Sequence, residues 1–222
     1  MKVYFPAYCM KQYQCGIFDH SGVLSDDRRP VYEADALILV RYGITPSSFE
    51  EWLTMTNASA GEALIARGIP VSKKEIDELH AQFYREVTTR EANPTKPIMY
   101  PDAPEVLQAL RDRGLKLAVV SSHPAASLRQ ELAEYGLSDN FDIVSGDPSP
   151  KARRLVDVCF DLQIPVGAAF FVGDTIYDLK AGYLAGVDCF GITTGYHPLQ
   201  RLEAERKAVR VVDSLTELLQ LV

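Results

Sequence analysis

The chain has 222 residues, enough for one large α/β domain or for a core with an insertion. Its 47% hydrophobic and 24% charged residues are ordinary for a globular protein, and a formal net charge of −7 argues against general nucleic-acid binding, which needs a basic face. No apolar run is long enough to cross a bilayer, so no membrane partner is expected.

Met1 to Tyr13 lack the sustained apolar stretch of a signal peptide. Cys9, Cys15, Cys159 and Cys189 match no zinc spacing, and three of them sit in apolar runs. Reduced, mostly buried cysteines and a cytoplasmic location are expected.

The first element is a short apolar strand running to about Asp19, where it ends abruptly at an acid followed by Gly22 and polar residues. Pro30 opens a helix that Gly43 stops. Ser47 or Ser48 caps a second helix, and Ala60 to Arg67 form a third, closed by Gly68. Ser72 and Glu75 make a capping-box pattern for a fourth, whose stripe is Ile76, Leu79, Phe83 and Val87. Residues 25–96 thus read as consecutive helices with no strand, and Asn93 to Pro97 read as a linker.

Beyond Pro101 strands and helices alternate. Strands are expected at Leu115–Val120, Phe141–Val144, Ala168–Val172, Val187–Ile192 and Val209–Val212. Helices fall at Asp102–Arg113, Ala125–Tyr135, from Ser149-Pro150 to about Gln163, at Asp178–Ala185, before Val209 and from Leu215. Alternation of this kind means right-handed crossovers and a mostly parallel sheet with helices on both faces.

Four of those strands end in chemically useful groups: Asp19, Ser121 with Ser122, the loop before Lys151, and Gly173-Asp174. In a parallel sheet these ends share one edge, where open α/β sheets bind ligands. Each residue has an ordinary use as well, as a turn former, a helix cap or a charge opposing a helix dipole. Lys151, Arg153 and Arg154 are harder to explain that way. They put three cations in one first helical turn, unfavourable by roughly 0.3–1 kcal/mol each, which calls for an anion nearby, phosphate being the obvious candidate. Clustered carboxylates call for a cation, and oxygen-only ligands favour Mg²⁺. A carboxylate aimed at phosphorus can attack it and form an aspartyl-phosphate.

Asp19-His20-Ser21-Gly22-Val23-Leu24, the strand Leu117 to Ser121, Lys151 and Gly173-Asp174-Thr175-Ile176-Tyr177-Asp178 occur in that order, followed by Ala181-Gly182-Tyr183-Leu184-Ala185-Gly186. Together they resemble the four motifs of the haloacid dehalogenase superfamily, and the resemblance covers nearly the whole chain. It implies an α/β, Rossmann-like doubly wound parallel sheet core, residues 1–24 and 97–222, with an inserted all-helical cap domain, residues 25–96, of the phosphoglycolate phosphatase-like kind. It implies a Mg²⁺-dependent phosphatase acting on a small phosphorylated metabolite. Asp19 would be the nucleophile. Asp19, Asp174 and the Ser21 carbonyl would bind Mg²⁺, with Asp178 supporting the metal shell. Ser121 and Lys151 would hold the phosphate, and His20 and Ser122 join them as substrate-binding candidates.

One position departs from the pattern. Phosphatases of this family carry a second Asp two residues after the nucleophile as general acid and base; here it is Ser21. Losing a positioned acid–base costs about 10²–10⁴-fold. The departure leaves other readings open: a phosphonatase-like hydrolase, with Lys73 or Lys74 as its Schiff-base lysine, and a degenerate phosphate-binding member with little turnover. It also predicts aryl and acyl phosphates as better substrates than alkyl esters, unless the His20 imidazole faces the site and takes over the missing role. Specificity is expected around Asn57 to Gly61; no motif there names a substrate, and oligomeric state is unreadable.

Overall fold

The computed structural model describes residues 12–55, 60–146 and 150–222. Expectations for the first eleven residues, for residues 56–59 and for Ser149 lie outside the described residues.

In chain order the strands are β1 Cys15–Phe18, β2 Ser25–Asp26, β3 Ile98–Met99, β4 Lys116–Ser121, β5 Ile143–Gly146, β6 Ala169–Gly173, β7 Asp188–Ile192 and β8 Arg210–Val212. The helices are α1 Arg28–Arg41, α2 Phe49–Met55, α3 Ala60–Ala66, α4 Lys73–Thr89, α5 Ala103–Asp112, α6 Ala125–Glu134, α7 Lys151–Asp161, α8 Ile176–Ala185, α9 Leu199–Glu205 and α10 Leu215–Leu218.

Six strands form one parallel sheet in the order β5-β4-β1-β6-β7-β8. Numbered along the core, that is the 3-2-1-4-5-6 order of a Rossmann-like doubly wound sheet. The chain runs outward from β1 through β4 and β5, then crosses back to β6, so strand order reverses around β1. The crevice at that reversal lies at the carboxyl ends of β1 and β6, which deliver Asp19 and Asp174.

Alternation along β1 sorts the core into two layers. Phe18 packs with Val106, Leu110, Leu128, Leu132 and Leu215 from α5, α6 and α10. Cys15 and Ile17 point the other way, onto Leu155, Val158, Leu179 and Leu202 from α7, α8 and α9. Both faces are therefore dry, which is why β1 reads as a continuous apolar run. Cys15, Cys159 and Cys189 are free thiols within this core.

Helices α1, α3 and α4 close over a separate cluster of Ile38, Leu39, Leu64, Ile69 and Ile76. The Ser72–Glu75 capping box starts α4, with Ser72 Oγ accepting from the Glu75 N–H and the Glu75 carboxylate from the Ser72 N–H.

Two expectations are corrected. Residues 25–96 are not free of strand: β2 pairs antiparallel with β3, Ser25 opposite Met99 and Asp26 opposite Ile98. This short ribbon ties together the two crossings between the helical block and the core. The strand expected at Phe141–Val144 begins two residues later. Asp142 still donates its N–H to the Leu117 carbonyl, but its side chain takes the Leu117 N–H and pairs with Arg111 and Lys116, and the regular ladder starts at Ile143 opposite Ala118.

Candidate active site

Asp19 leaves β1 at the carboxyl edge and is buried. Its Oδ1 accepts the N–H of His20 at 2.7 Å and its Oδ2 accepts Lys151 Nζ at 2.7 Å. Lys151 is the first residue of α7 and only 5% exposed, with a second bond to Asp178 Oδ1 at 2.5 Å. Burial works against its charge, but Asp178 and Asp19 outweigh that and hold the ammonium protonated.

The anion expected near the first turn of α7 therefore comes from the protein. Arg154 donates to the carbonyl of Ser121 at 2.8 Å and to Ser145 Oγ at 3.0 Å, while Arg153 pairs with Asp157 one turn along.

Asp178 sits at the third position of α8. Thr175 caps that helix: its hydroxyl accepts the Asp178 N–H, and Asp178 Oδ2 takes the Thr175 N–H and hydroxyl. One carboxylate thus finishes a helix and orients the site lysine. Asp174, after β6, accepts the Tyr196 N–H on Oδ2 at 2.7 Å. It fits because Gly22 and Gly195 have no side chains. A Cβ would lie 2.2 Å from Asp174 Oδ2 at Gly22, which is also left-handed at φ +72°, and 2.0 Å from it at Gly195.

One oxygen from each of Asp19, Asp174 and Asp178 lies within 4.8 Å of the others, and all three residues are buried. Burial, resisted by Lys151 and reinforced by Asp178, pushes the Asp19 carboxyl up to about 6; burial with repulsion from Asp178 and Asp19 raises Asp174 well above the usual range. Three carboxylates beside one ammonium leave a deficit of positive charge. An oxygen-only donor set with that deficit fits a hard divalent cation. The Ser21 carbonyl, which accepts none of the loop's backbone hydrogen bonds, completes the candidate donors.

Ser21 faces a second constellation. Its Oγ donates to Asp27 Oδ2 at 2.6 Å and meets His123 Nε2 at 2.9 Å. Asp27 is buried and its other oxygen accepts the Tyr196 hydroxyl at 2.9 Å. Burial opposes ionisation of Asp27, but bonds from His123, Ser21 and Tyr196 hold its carboxyl below the usual range. The carboxylate in turn outweighs burial at His123 and raises the imidazole.

The His20 ring meets the edge of His123, with centroids 5.6 Å apart, but the side chain bonds neither Ser21 nor Asp27. Its imidazole is fully enclosed, with Nε2 2.8 Å from Glu131 Oε2 on α6 and the ring stacked on Tyr135. Only its backbone N–H serves Asp19. The ring's Nε2 is taken up by Glu131, and its Nδ1 has no hydrogen-bond partner among the described residues. Ser121 is buried, its Oγ accepting the His123 N–H at 3.2 Å, whereas Ser122 is exposed on the same loop.

The family model for haloacid dehalogenase-like hydrolases matches residues 16–192. The chain belongs to that family. Relatives place it among the family's phosphatases: it is 27% identical over 195 residues, 82% of this chain and 84% of the other, to a phosphoglycolate phosphatase of Psychrobacter arcticus. To one from Vibrio vulnificus it is 30% identical over 174 residues, 73% of each chain. Similar folds include a predicted phosphatase from Clostridium acetobutylicum, with a TM-score of 0.81 at 20% identity over 94% of this chain and 97% of that one. A predicted phosphoglycolate phosphatase from Haemophilus somnus gives 0.78 at 21% identity, over 95% and 98%. As in other haloacid dehalogenase-like hydrolases, the sheet is parallel with helices on both faces; no described helix is long and apolar enough to cross a membrane.

Sequence reading missed His123, Asp27 and Tyr196 as site residues. Tyr196 had a usable signal, because Thr193-Thr194-Gly195-Tyr196 follow β7 as polar residues follow the other strands. His123 had the same signal, two residues beyond the end of β4, and Asp27 lies six residues from Ser21; what the sequence does not show is that these two segments, about a hundred residues apart, meet at Ser21.

Proposed function

We propose that this chain is a Mg²⁺-dependent phosphatase that hydrolyses a small phosphorylated metabolite through an aspartyl-phosphate on Asp19, with residues 25–96 as its cap. The observation that supports it most is the buried group of Asp19, Asp174 and Asp178 around Lys151 at the reversal of strand order. Asp19, Asp174 and the Ser21 carbonyl would hold the ion, with Asp178 steering Lys151. When bound, the ion neutralises charge on the phosphoryl oxygens and on the clustered carboxylates.

The chain's own groups do the rest. Asp19, oriented by the His20 N–H and Lys151, attacks phosphorus as the ester P–O bond breaks and the alkoxide leaves. Lys151 stabilises the transferring oxygens. His123, hydrogen-bonded to Ser21 Oγ and to its partner Asp27, stands where the family's second Asp would act; it delivers the proton to the leaving alkoxide. In the second step it takes a proton from water, which attacks phosphorus and releases phosphate and Asp19.

A phosphonatase-like role fits the structure poorly. Lys73 and Lys74 are exposed and pair with Asp77 and Glu78 along α4, so neither is the desolvated amine that Schiff-base chemistry uses. Turnover of p-nitrophenyl phosphate with Mg²⁺, its loss in chelator, and phosphate trapped on the parent chain but not on Asp19→Asn are the expected results. Full activity in excess chelator would sink the proposal.

A further inference from the structure

Four buried polar atoms have no hydrogen-bond partner among the described residues: His20 Nδ1, on the core side of His123, and three on the helical block that faces it, Asp35 Oδ1, His80 Nε2 and Tyr84 Oη. The latter three form one surface. His80 and Tyr84 are one turn apart on α4 with their rings stacked, centroids 6.2 Å apart at 27°. Asp35 faces them from α1, its Oδ1 3.5 Å from His80 Nε2 without the alignment of a hydrogen bond. Its other oxygen is held by Trp52 Nε1 at 2.9 Å.

That surface is joined to the reaction centre on two sides. Tyr84 meets the edge of His123, the residue at Ser21, with centroids 6.3 Å apart. Trp52 meets Tyr196, whose hydroxyl bonds Asp27. Each unmet buried polar group costs about 1–3 kcal/mol, and such groups in a native fold call for an explanation. Three on one surface, linked to the reacting residues, are explained by a ligand that supplies the missing bonds.

The missing bonds also say what kind of ligand. A carboxyl, an imidazole and a phenol offer both donors and acceptors. Asp35 turns an unmet carboxyl oxygen to this surface, with its other oxygen on Trp52, and that oxygen favours a donor over an anion; burial, which pushes His80 down to about 4, leaves no imidazolium beside it to reverse the preference. Resting on the phosphatase reading, we infer that Asp35, His80 and Tyr84 form a leaving-group subsite for an uncharged, polyhydroxylated alcohol, so that the substrate is a sugar or polyol phosphate rather than a carboxylated phosphate ester.

The test is a comparison of kcat/KM with Mg²⁺ for p-nitrophenyl phosphate, a panel of sugar and polyol phosphates, and phosphoglycolate. At least one polyhydroxylated ester should exceed phosphoglycolate. Tyr84→Phe and Asp35→Asn should each raise KM for that ester about tenfold, the worth of one hydrogen bond, with a clearly smaller effect on the aryl phosphate. Melting curves confirm that both variants fold, and the two changes are independent of each other. Preference for phosphoglycolate, or equal effects of both variants on the two ester types, overturns the subsite while leaving the phosphatase intact. Absence of Mg²⁺-dependent turnover of p-nitrophenyl phosphate overturns the phosphatase reading and the subsite with it.

Discussion

Burial pushes Asp35 and His80 in opposite directions, and the consequence for stability has a measurable sign. The folded carboxyl is pushed up to about 7 by burial, partly resisted by Trp52, and the folded imidazole down to about 4 by burial and His123. Unfolded, they titrate near about 3.9 and 6.5. Between those values the unfolded chain holds an aspartate and an imidazolium, the folded chain a carboxylic acid and a neutral imidazole. The proton counts match, so the pair adds almost no slope of stability with pH. Each alone does. Asp35, a raised acid, gives stability present below about pH 4 and lost as pH rises through 7; His80, a depressed base, gives stability present above about 6.5 and lost as pH falls through 4. Relative to the parent chain, Asp35→Asn should therefore gain stability as pH rises from 4 to 7, and His80→Gln should lose it, by up to a few kcal/mol. Urea denaturation across that range checks both signs.

Ser21 is the other residue-scale question. If His123 supplies the proton, His123→Ala should lower turnover of alkyl phosphates by about 10²–10⁴-fold and of aryl phosphates much less, because a phenolate leaves unaided. Ser21→Asp alone would set a carboxylate against Asp27, 2.6 Å from the present hydroxyl, so restoring the family's acid needs Asp27→Asn as well. A rise in alkyl-phosphate turnover in Ser21→Asp alone, with no effect of His123→Ala, would remove His123 from the mechanism.

At the scale of elements, α8 shows how a cap becomes part of a site. Thr175 closes the N-terminus of α8 on Asp178, and the same carboxylate reaches Lys151 on α7. Thr175→Ala should cost about 0.5–2 kcal/mol as a lost N-cap and also lower kcat, since Asp178 Oδ2 loses the shorter of its two bonds and keeps only the backbone N–H. Melting and steady-state kinetics on one preparation separate the two effects. A stability loss with unchanged kcat would mean that Lys151 is held well enough without it. The β7–α9 loop binds the two halves of the site in a similar way: Thr194 Oγ1 donates to the Gly22 carbonyl at 2.6 Å and Arg28 to the Gly195 carbonyl at 3.2 Å.

For the whole molecule, the carboxylate cluster sets a trade between stability and function. Asp174 is buried against two other acids, so without a cation its charge destabilises the fold. Mg²⁺ should stabilise the parent chain by about 2.7 kcal/mol at a hundred times Kd, seen as a higher melting temperature. Asp174→Asn should melt higher than the metal-free parent and respond little to Mg²⁺. Calorimetry with and without chelator checks this with no reference to turnover.

How much of this the chain announces in advance follows from the range of the interactions. The parallel core, its strand ends and the order of Asp19, Ser121, Lys151 and Asp174 were legible, because apolar runs, glycine stops and caps are local signals read within a few residues. Helix α8 starts two residues before the Asp178 expected for it, because Thr175 caps it, and the two-residue ribbon of β2 and β3 escaped the reading, being too short to carry a pattern. What tertiary structure alone decided is which polar groups meet. Two neighbours in sequence, His20 and Ser21, diverge: one imidazole is enclosed against Glu131, while the hydroxyl beside it turns to Asp27 and His123. Asp35, His80 and Tyr84 read as unremarkable helix residues until α1 and α4 pack. Local sequence determines where each backbone turns, but a hydrogen bond across a hundred residues exists only once the elements carrying its two ends are docked.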